Sequence, residues 1–336
     1  MKKYLLITSL VILSFSTQAS NLINDERVKD QKSCFTWIFT DYSSWRSHIE
    51  KKYKEKIKSV EKLKMALTQF DSHFGKEKFD YYQSNLSCVN FKYFVDGKTV
   101  SGYVIKPKLS TGKLPVLIYN RGGNGNYGAV VFGSMMHNLF PVADEGFVII
   151  GSQYRGTNTR NKTLQDQFGG DDVNDVTALL EYIPNIEDAD EQRIGMFGAS
   201  RGGMQTHLAV KQSKEIKAIA IIAGVIDLVK ELDFRPEMEK VFKATIPDYD
   251  KNKVAELEKR SVINWVDELS PKVPILLMHG ENDNRVDVNN SIAFADALSK
   301  NNIPHKLVVY PGDNHSLMKN KPKAITEIVQ WFKKHL

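Results

Sequence analysis

Cysteine is scarce in this sequence of 336 residues, because only Cys34 and Cys88 occur. There is no Cys-x-x-Cys pair and no cysteine–histidine cluster, so the ligand spacing typical of zinc sites is absent. We therefore expect no metal site. In an oxidising compartment, a single pair of cysteines would form a disulfide. We therefore predict a Cys34–Cys88 disulfide, with two separate thiols as the alternative.

Long hydrophobic runs are also scarce, and the one near the N-terminus is too short to cross a bilayer. Two lysines precede an apolar run from Tyr4 to Phe15, and small residues follow it up to Ala19. This order is typical of an export signal, with a retained membrane anchor as the alternative. We predict that residues 1–19 are a signal peptide and that the mature protein is periplasmic or secreted, without stable insertion in a membrane.

Positive charge is not spread along the chain. The net charge is +6, and residues 46–64 alone hold eight basic residues against three acidic ones. A nucleic-acid surface would draw on several basic elements with aromatic or motif support, so we expect no nucleic-acid partner. We interpret the basic stretch as the solvent face of a helix, with attraction to a membrane surface as the alternative.

Residues 20–88 are predicted to form a helical N-terminal extension. Ser47 and Glu50 have the spacing of a capping box, apolar residues then recur at steps of three and four, and Gly75 supplies a stop signal. A single apolar stripe of this kind predicts one long amphipathic helix that docks on the rest of the protein.

Residues 89–336 have the pattern of an α/β domain. An Asp-Gly pair at 96–97 indicates a hairpin, and short apolar runs then alternate with helix-length segments, at 116–119, 147–150, 194–197, 216–222, 275–278 and 307–310. Such runs are typical of parallel strands buried on both faces. We predict a doubly wound, mostly parallel sheet with helices on both faces. Residues 225–270 interrupt the alternation and are interpreted as a lid-like, mostly helical insertion over the carboxyl edge, where ligands bind in such sheets.

The first chemical motif follows the run at 194–197. Residues 198–202 read Gly-Ala-Ser-Arg-Gly, the Gly-x-Ser-x-Gly spacing that a nucleophile elbow requires between a strand and a helix. A serine nucleophile needs a base and an orienting acid, and in this fold they follow in the order serine, acid, histidine. Asp283 and His315 come after the last two apolar runs in that order. We therefore predict Ser200, Asp283 and His315 as the catalytic residues.

Other acids and histidines fit these roles less well. Asp287 precedes a helical pattern and is better placed as its N-cap. Asp313 is too near His315 along one loop to be the favoured orienting acid. His279 ends a strand, where we expect it to pack, and His207 lies inside the helix after the serine.

A tetrahedral intermediate needs hydrogen-bond donors aimed at its oxyanion. We predict the backbone N–H of Arg201 as one donor, and the loop at 120–124, with Gly122 and Gly123, as the source of the other. The glycine spacing of this loop also matches a dinucleotide fingerprint. The acid that would hold the ribose is missing at residues 151–153, however, so we expect no cofactor.

Residues 89–336 resemble the catalytic domain of the prolyl oligopeptidase family of serine peptidases, within the α/β-hydrolase superfamily. The resemblance rests on short segments at 101–104, 121–123, 154–157, 168–173, 198–203, 279–283 and 313–315. It implies an α/β-hydrolase fold in which Ser200 is the nucleophile, Asp283 the orienting acid and His315 the general base. The implied substrate is a short peptide or a small molecule.

The chain also departs from the family pattern. Family peptidases usually carry a large β-propeller before this domain, whereas the extension here is short. Arg121 and Arg201 replace aromatic or histidine residues that are frequent at their positions in the family. A carboxylesterase acting on small esters is therefore an alternative to a peptidase, and a non-catalytic binding protein is a further one.

Several arginines fall in loops at the predicted catalytic edge. We hypothesise that one or two of Arg121, Arg155, Arg160 and Arg201 bind a substrate anion, and Tyr154 is a further candidate for substrate contact. The alternative is that these arginines pair with structural acids, such as those at positions 171 and 172.

Overall fold

The computed structural model describes residues 21–157 and 165–336. The predicted signal peptide and Arg160 lie outside the described residues. The strands are β1 (Lys29–Ser33), β2 (Leu86–Val95), β3 (Lys98–Pro107), β4 (Leu114–Asn120), β5 (Val148–Ser152), β6 (Ala189–Ala199), β7 (Ile216–Ile222), β8 (Ile275–Gly280) and β9 (His305–Tyr310).

The helices lie between these strands, except the last one, which follows β9. They are α1 (Tyr42–Lys56), α2 (Val60–Phe74), α3 (Lys76–Asn85), α4 (Phe132–Ser134), α5 (Phe140–Ala143), α6 (Asp172–Thr177), α7 (Arg201–Gln212), α8 (Leu228–Phe234), α9 (Met238–Thr245), α10 (Tyr249–Arg260), α11 (Val288–Lys300) and α12 (Lys321–His335). Segments of 3-10 or π helix occupy Trp37–Phe39, Met135–Leu139, Ala178–Asn185 and Val262–Glu268.

The described strands form one nine-stranded sheet in the order β1-β2-β3-β5-β4-β6-β7-β8-β9. The pairs β1–β2, β2–β3 and β3–β5 are antiparallel, and the strands from β5 through β4 to β9 are parallel. Asp96 and Gly97 connect β2 to β3 with φ values of 52° and 69°, the left-handed pair that a tight hairpin turn requires. The predicted hairpin and the mostly parallel sheet are therefore confirmed.

Consecutive side chains of each central strand point to opposite faces of the sheet, because side chains alternate along a strand. On β4, Val116 and Ile118 pack into the core layer that contains α7 and α11, whereas Leu117 packs into the layer that contains α1, α2 and α12. Both sets are fully buried. Burial on both faces explains why these strands read as unbroken apolar runs.

The N-terminal extension differs from the single long helix that the sequence predicts. The chain leaves the helical conformation at Ile57, and a new helix begins after Ser59, whose side chain accepts a hydrogen bond from the backbone N–H of Lys62. Asp41 caps α1 in the same way, so Ser47 lies inside a helix rather than at its start. The predicted stop at Gly75 is confirmed, since α2 ends there.

The extension is also not purely helical, because β1 pairs with β2 at the edge of the sheet. A disulfide joins Cys34, just after β1, to Cys88 in β2, as the sequence predicts. The backbone N–H of Cys34 also donates to the carbonyl of Cys88 at 2.9 Å. The extension is therefore tied to the sheet by strand pairing and by a covalent bond.

Residues 225–270 hold α8, α9 and α10, which confirms the mostly helical character that the sequence predicts for this insertion. Val225, Met238 and Val241 face the cleft at the carboxyl ends of the parallel strands. Among residues 21–157 and 165–336, no helix is both long and apolar enough to cross a membrane.

Candidate active site

The sharp turn between β6 and α7 presents Ser200 with a φ of 57° and a ψ of −126°. This is a strained backbone conformation for a residue with a side chain. It persists because the backbone N–H of Ser200 donates to the carbonyl of Ile222 on the neighbouring strand at 2.8 Å. A Cβ at Gly198 would lie 2.1 Å from the carbonyl oxygen of Gly202, and one at Gly202 would lie 2.0 Å from that of Asn120. Only glycine fits at both positions, which is the structural basis of the Gly-x-Ser-x-Gly motif.

Asp283 and His315 follow the adjacent strands β8 and β9, and their loops are in close contact. A Cβ at Gly280 would lie 2.4 Å from the carbonyl oxygen of Asn314, so a larger residue would push the loops apart. The Nδ1 of His315 donates to Oδ2 of Asp283 at 2.7 Å. Ser200 and His315 line the same cleft, of about 640 Å³. The structure thus brings the three predicted residues to one place.

Asp283 is buried, yet its carboxylate is well supplied with donors. Its Oδ1 accepts from the backbone N–H groups of Arg285 and Val286 at 2.8 and 3.1 Å. Burial by itself would raise the pKa of Asp283, but hydrogen bonds from His279 and His315, with the backbone bond from Arg285, hold that pKa well below its ordinary value. The carboxylate is therefore charged across the range in which a histidine base works.

His279 contacts the same carboxylate, a role that the sequence analysis missed. Its Nε2 lies 3.0 Å from Oδ2 of Asp283 and 3.0 Å from the carbonyl oxygen of Val286, and its Nδ1 lies 2.7 Å from Oγ of Ser291. A carbonyl can only accept, so Nε2 of His279 carries a proton. The only available signal was that His279 ends a strand four residues before Asp283.

The rival acids have structural partners. Asp287 caps α11, since its side chain accepts from the backbone N–H of Asn289. Asp313 accepts from the backbone N–H groups of Asn314, Lys319 and Asn320 at 2.8, 3.2 and 2.9 Å. These contacts use both carboxylate oxygens of Asp313 and organise the loop that carries His315.

The glycine loop after β4 lies directly against the nucleophile. A Cβ at Gly122 would lie 3.1 Å from the Cβ of Ser200, and Gly123 adopts a φ of 72°. Gly122, Gly123 and Arg201 all line the cleft. The loop predicted to hold the oxyanion is therefore next to the serine.

Comparisons with known proteins agree with this geometry. The sequence profile of the prolyl oligopeptidase family matches residues 133–336. The chain belongs to the prolyl oligopeptidase family. Its members are serine hydrolases, so the predicted family and enzyme class are confirmed. The glycine loop at 120–124 precedes the matched residues, and its assignment rests on the geometry alone.

The relatives within the prolyl oligopeptidase family differ in length. The chain is 26% identical over 263 residues to the uncharacterized peptidase YtmA of Bacillus subtilis, which covers 77% of this chain and 98% of that protein. It is 27% identical to dipeptidyl-peptidase 5 of Porphyromonas gingivalis over 65% of this chain, but it spans only 33% of that protein. Acylaminoacyl peptidase of Pyrococcus horikoshii has a similar fold, with a TM-score of 0.63 at 22% identity over 75% of this chain and 42% of that structure.

Arg121 holds the glycine loop of this family member together and does not reach into the cleft. It is 1% exposed. Its guanidinium donates at 2.7–3.1 Å to acceptors on two loops, namely the carbonyl oxygens of Gly122, Gly125, Tyr127 and Gln153 and the hydroxyl of Thr157. The substrate-binding role predicted for Arg121 is wrong, because its donors serve the protein's own backbone.

Arg155 and Arg201 are each 2% exposed and are paired with acids. Arg155 donates to Asp175 and Asp96, both at 2.7 Å. Arg201 donates to Asp172 at 2.6 Å. The anion-binding hypothesis is therefore wrong for both side chains, and the alternative of pairing with structural acids is correct.

Tyr154 is 1% exposed, and its hydroxyl donates to the carbonyl of Arg121 at 3.1 Å. The guanidinium carbons of Arg121 and Arg201 lie 4.8 and 5.1 Å from the centre of its ring, within the range of cation–π attraction. The predicted substrate contact of Tyr154 is thus also wrong. We refer to Arg121, Arg155 and Arg201 as the arginine layer.

Two charged residues of the insertion line the cleft but were not predicted as site residues. Glu231 and Arg235 lie one helical turn apart, in α8 and just after it. We refer to them as the insertion wall. Their sequence neighbourhood offers no motif, because the helices of the insertion are short and charged throughout.

Proposed function

We propose that the protein is an exported serine hydrolase that cleaves an amide, peptide or ester bond through an acyl-enzyme. Ser200 attacks the substrate carbonyl carbon while His315 takes the hydroxyl proton. The tetrahedral intermediate collapses, the bond to the leaving group breaks, and His315 donates the proton to that group. Water then attacks the acyl-enzyme by the same route and regenerates the serine.

The remaining groups assist these steps. Asp283 holds the imidazole with Nδ1 protonated, which leaves Nε2 as the nitrogen that receives the serine proton. The backbone N–H groups of Arg201 and of Gly123 or Gly122 stabilise the oxyanion. The observation that carries the proposal is the 2.7 Å bond between His315 and Asp283 at a cleft that also holds Ser200 on a strained turn.

A peptidase is favoured over a carboxylesterase by the relatives, since YtmA and dipeptidyl-peptidase 5 are both named peptidases. The substrate would be a short peptide or a small molecule, because the cleft is only about 640 Å³. Turnover of aminoacyl amides compared with simple acyl esters separates the two activities.

Labelling by a fluorophosphonate probe tests the proposal. We expect the wild type to be labelled, Ser200→Ala to be unlabelled, and His315→Ala to be labelled far more slowly. Turnover of a nitrophenyl ester should fall by several orders of magnitude in both variants. Ser84→Ala, which removes an exposed hydroxyl from α3, is the matched control and should react as the wild type does. An unlabelled wild type would instead favour a non-catalytic binding protein.

Export is supported by the pattern of residues 1–19 and by the Cys34–Cys88 disulfide. In a bacterial host, we expect the full chain to appear in the periplasm or medium with Ser20 as its first residue. A chain that stays in the cytoplasm with residues 1–19 attached would contradict export without affecting the proposed chemistry.

A further inference from the structure

Glu231 is a buried carboxyl on the cleft wall with an unpaired oxygen. It belongs to α8, is 2% exposed, and lines the same cleft as Ser200 and His315. Its Oε2 has no hydrogen-bond partner among the described residues. Buried polar atoms nearly always have a partner, and an unpaired carboxyl oxygen in such a place is costly. A group that enters the cleft could supply the missing partner.

The neighbouring guanidinium does not satisfy this carboxyl. Nη1 of Arg235 lies 3.7 Å from Oε1 of Glu231, which is too long for a hydrogen bond. Instead, Nε of Arg235 donates to Glu237 at 3.1 Å, and Nη1 donates to the carbonyl of Arg285 at 3.2 Å. Arg235 is therefore directed away from Oε2, the atom that needs a donor.

The charges around the cleft also single out Glu231. Among the described residues that line the cleft it is the one carboxyl, whereas Arg201, Arg235 and Arg285 are its cations. Burial raises the pKa of Glu231, Arg235 lowers it, the charges of Asp283 and Glu237 raise it, and the net pKa is about 8. A cation bound at Oε2 would favour the charged carboxylate and would release its proton.

We propose that the cleft takes substrates that carry an ammonium or guanidinium group and that Glu231 binds this group. The inference rests on the proposed hydrolase function and deepens it by naming a substrate class. Because Glu231 shares the cleft with the nucleophile, the cationic group belongs to the same small substrate. It could be a lysine or arginine side chain or a free α-amine, which share the chemistry that a carboxylate recognises.

The test compares substrates that differ only in this charge. Nα-acetyl-lysine and Nα-acetyl-norleucine nitrophenyl esters have similar length, and only the first is cationic. Norleucine esters with a free and with an acetylated α-amine form the second pair. We expect one cationic member to have the higher kcat/KM, chiefly through a lower KM, and to lose about tenfold or more of that advantage in Glu231→Gln. The pair that shows the effect identifies the source of the cation.

Asp233→Asn is the matched control, because it removes one negative charge from the exposed side of the same helix. It should leave the ratio between cationic and neutral substrates unchanged. Circular dichroism checks that Glu231→Gln keeps its fold. An equal kcat/KM for the members of both pairs in the wild type, or an advantage that survives in Glu231→Gln, would overturn the proposal.

A binding measurement separates this inference from the hydrolase function. Calorimetric titration of Ser200→Ala with the amides of acetyl-lysine, acetyl-norleucine and free norleucine reports the cation preference without turnover. A preference there that Glu231→Gln abolishes would support the cation site even if no ester were hydrolysed, whereas ester hydrolysis without any preference would retain the hydrolase and reject the site.

Discussion

The arginine layer and the insertion wall both place charged side chains near the nucleophile, but they differ in how these charges are paired. Arg155 and Arg201 are buried and hydrogen-bonded to buried acids, and Arg121 donates to several backbone carbonyls. In the insertion wall, Glu231 is equally buried but retains an oxygen without a partner among the described residues. Equal burial therefore accompanies different states of pairing. Arg155 and Arg201 are held by hydrogen bonds to acids, although Nη1 of Arg155 and Nε of Arg201 have no partner among the described residues, whereas the carboxyl of Glu231 has only an ion-pair contact of 3.7 Å with Arg235.

This difference separates the charges that build the site from those that recognise a ligand. A paired buried charge fixes geometry, because moving it would expose an uncompensated partner. An unpaired buried charge gains a partner only when a ligand binds, so it contributes to the selectivity between ligands. A basic residue in an active-site loop is thus insufficient evidence for anion binding unless its existing partners are known.

The largest expected effect tests the pairing of the arginine layer. Arg155→Ala would leave Asp175, which is 0% exposed, without its ion-pair partner. Burial already raises the pKa of Asp175 to about 6 despite the hydrogen bonds from Arg155. We expect a loss of about 3–5 kcal/mol in the free energy of unfolding, measured by urea denaturation at pH 7. Arg235→Ala should cost about 1 kcal/mol or less, since its hydrogen-bonded partner Glu237 is exposed and its other carboxyl neighbour, Glu231, lies 3.7 Å away. Equal losses of stability in Arg155→Ala and Arg235→Ala would refute the difference in pairing between the arginine layer and the insertion wall.

A second prediction concerns the contribution of the layer to catalysis. Arg121→Lys keeps the charge but cannot reach the acceptors on both loops that the guanidinium joins. A looser glycine loop should lower kcat by about tenfold to a hundredfold with little change in KM, which is less than the loss of one oxyanion donor would cost. Steady-state kinetics on a neutral ester measures this, with Arg193→Lys on β6 as the control. A change in KM alone would indicate that Arg121 binds substrate after all.

The sequence predicted the scaffold because the scaffold is encoded locally. Apolar runs mark the parallel strands, and the glycines around Ser200 are required by close backbone contacts. The order of Asp283 and His315 follows from the topology of the fold. Each of these features depends either on a short segment of sequence or on the order of the strands, and the rules of chain connection allow few strand orders.

The partners of the charged residues could not be predicted in the same way. Asp175 forms a hydrogen bond with Arg155, which is twenty residues away in the sequence. Asp172 forms one with Arg201, which is twenty-nine residues away. No periodicity encodes such pairs, so the loop position of each arginine suggested a solvent-facing role. His279 and Glu231 were missed for the same reason, since their significance lies in contacts made or lacking across the fold. The break in the N-terminal helix at Ile57 shows that an apolar stripe can continue through two helices.

A third prediction uses pH to probe the insertion wall. The folded protein holds the proton of Glu231 up to a pKa of about 8, whereas the unfolded chain loses it near 4.5. Between these values the unfolded state binds fewer protons, so stability falls as pH rises, by about 1.4 kcal/mol per pH unit at most from this group. Glu231→Gln should remove that slope, and the difference between the two proteins, measured by urea denaturation from pH 5 to 8, isolates it from other titrating groups. Parallel curves would mean that Glu231 is already ionised.

The smallest expected effect concerns His279, which contacts the same carboxylate as the histidine base, that of Asp283. His279→Leu removes one donor to Asp283, so the pKa of that carboxyl should rise, and kcat should fall by about tenfold or less because the bond to His315 remains. His279→Gln retains an N–H donor and should recover part of the rate. Thermal unfolding of both variants provides the control, since a purely structural role would lower their melting temperatures and rates together. Partial recovery of kcat by glutamine at equal stability would instead identify His279 as a positioning residue that acts through the acid it contacts.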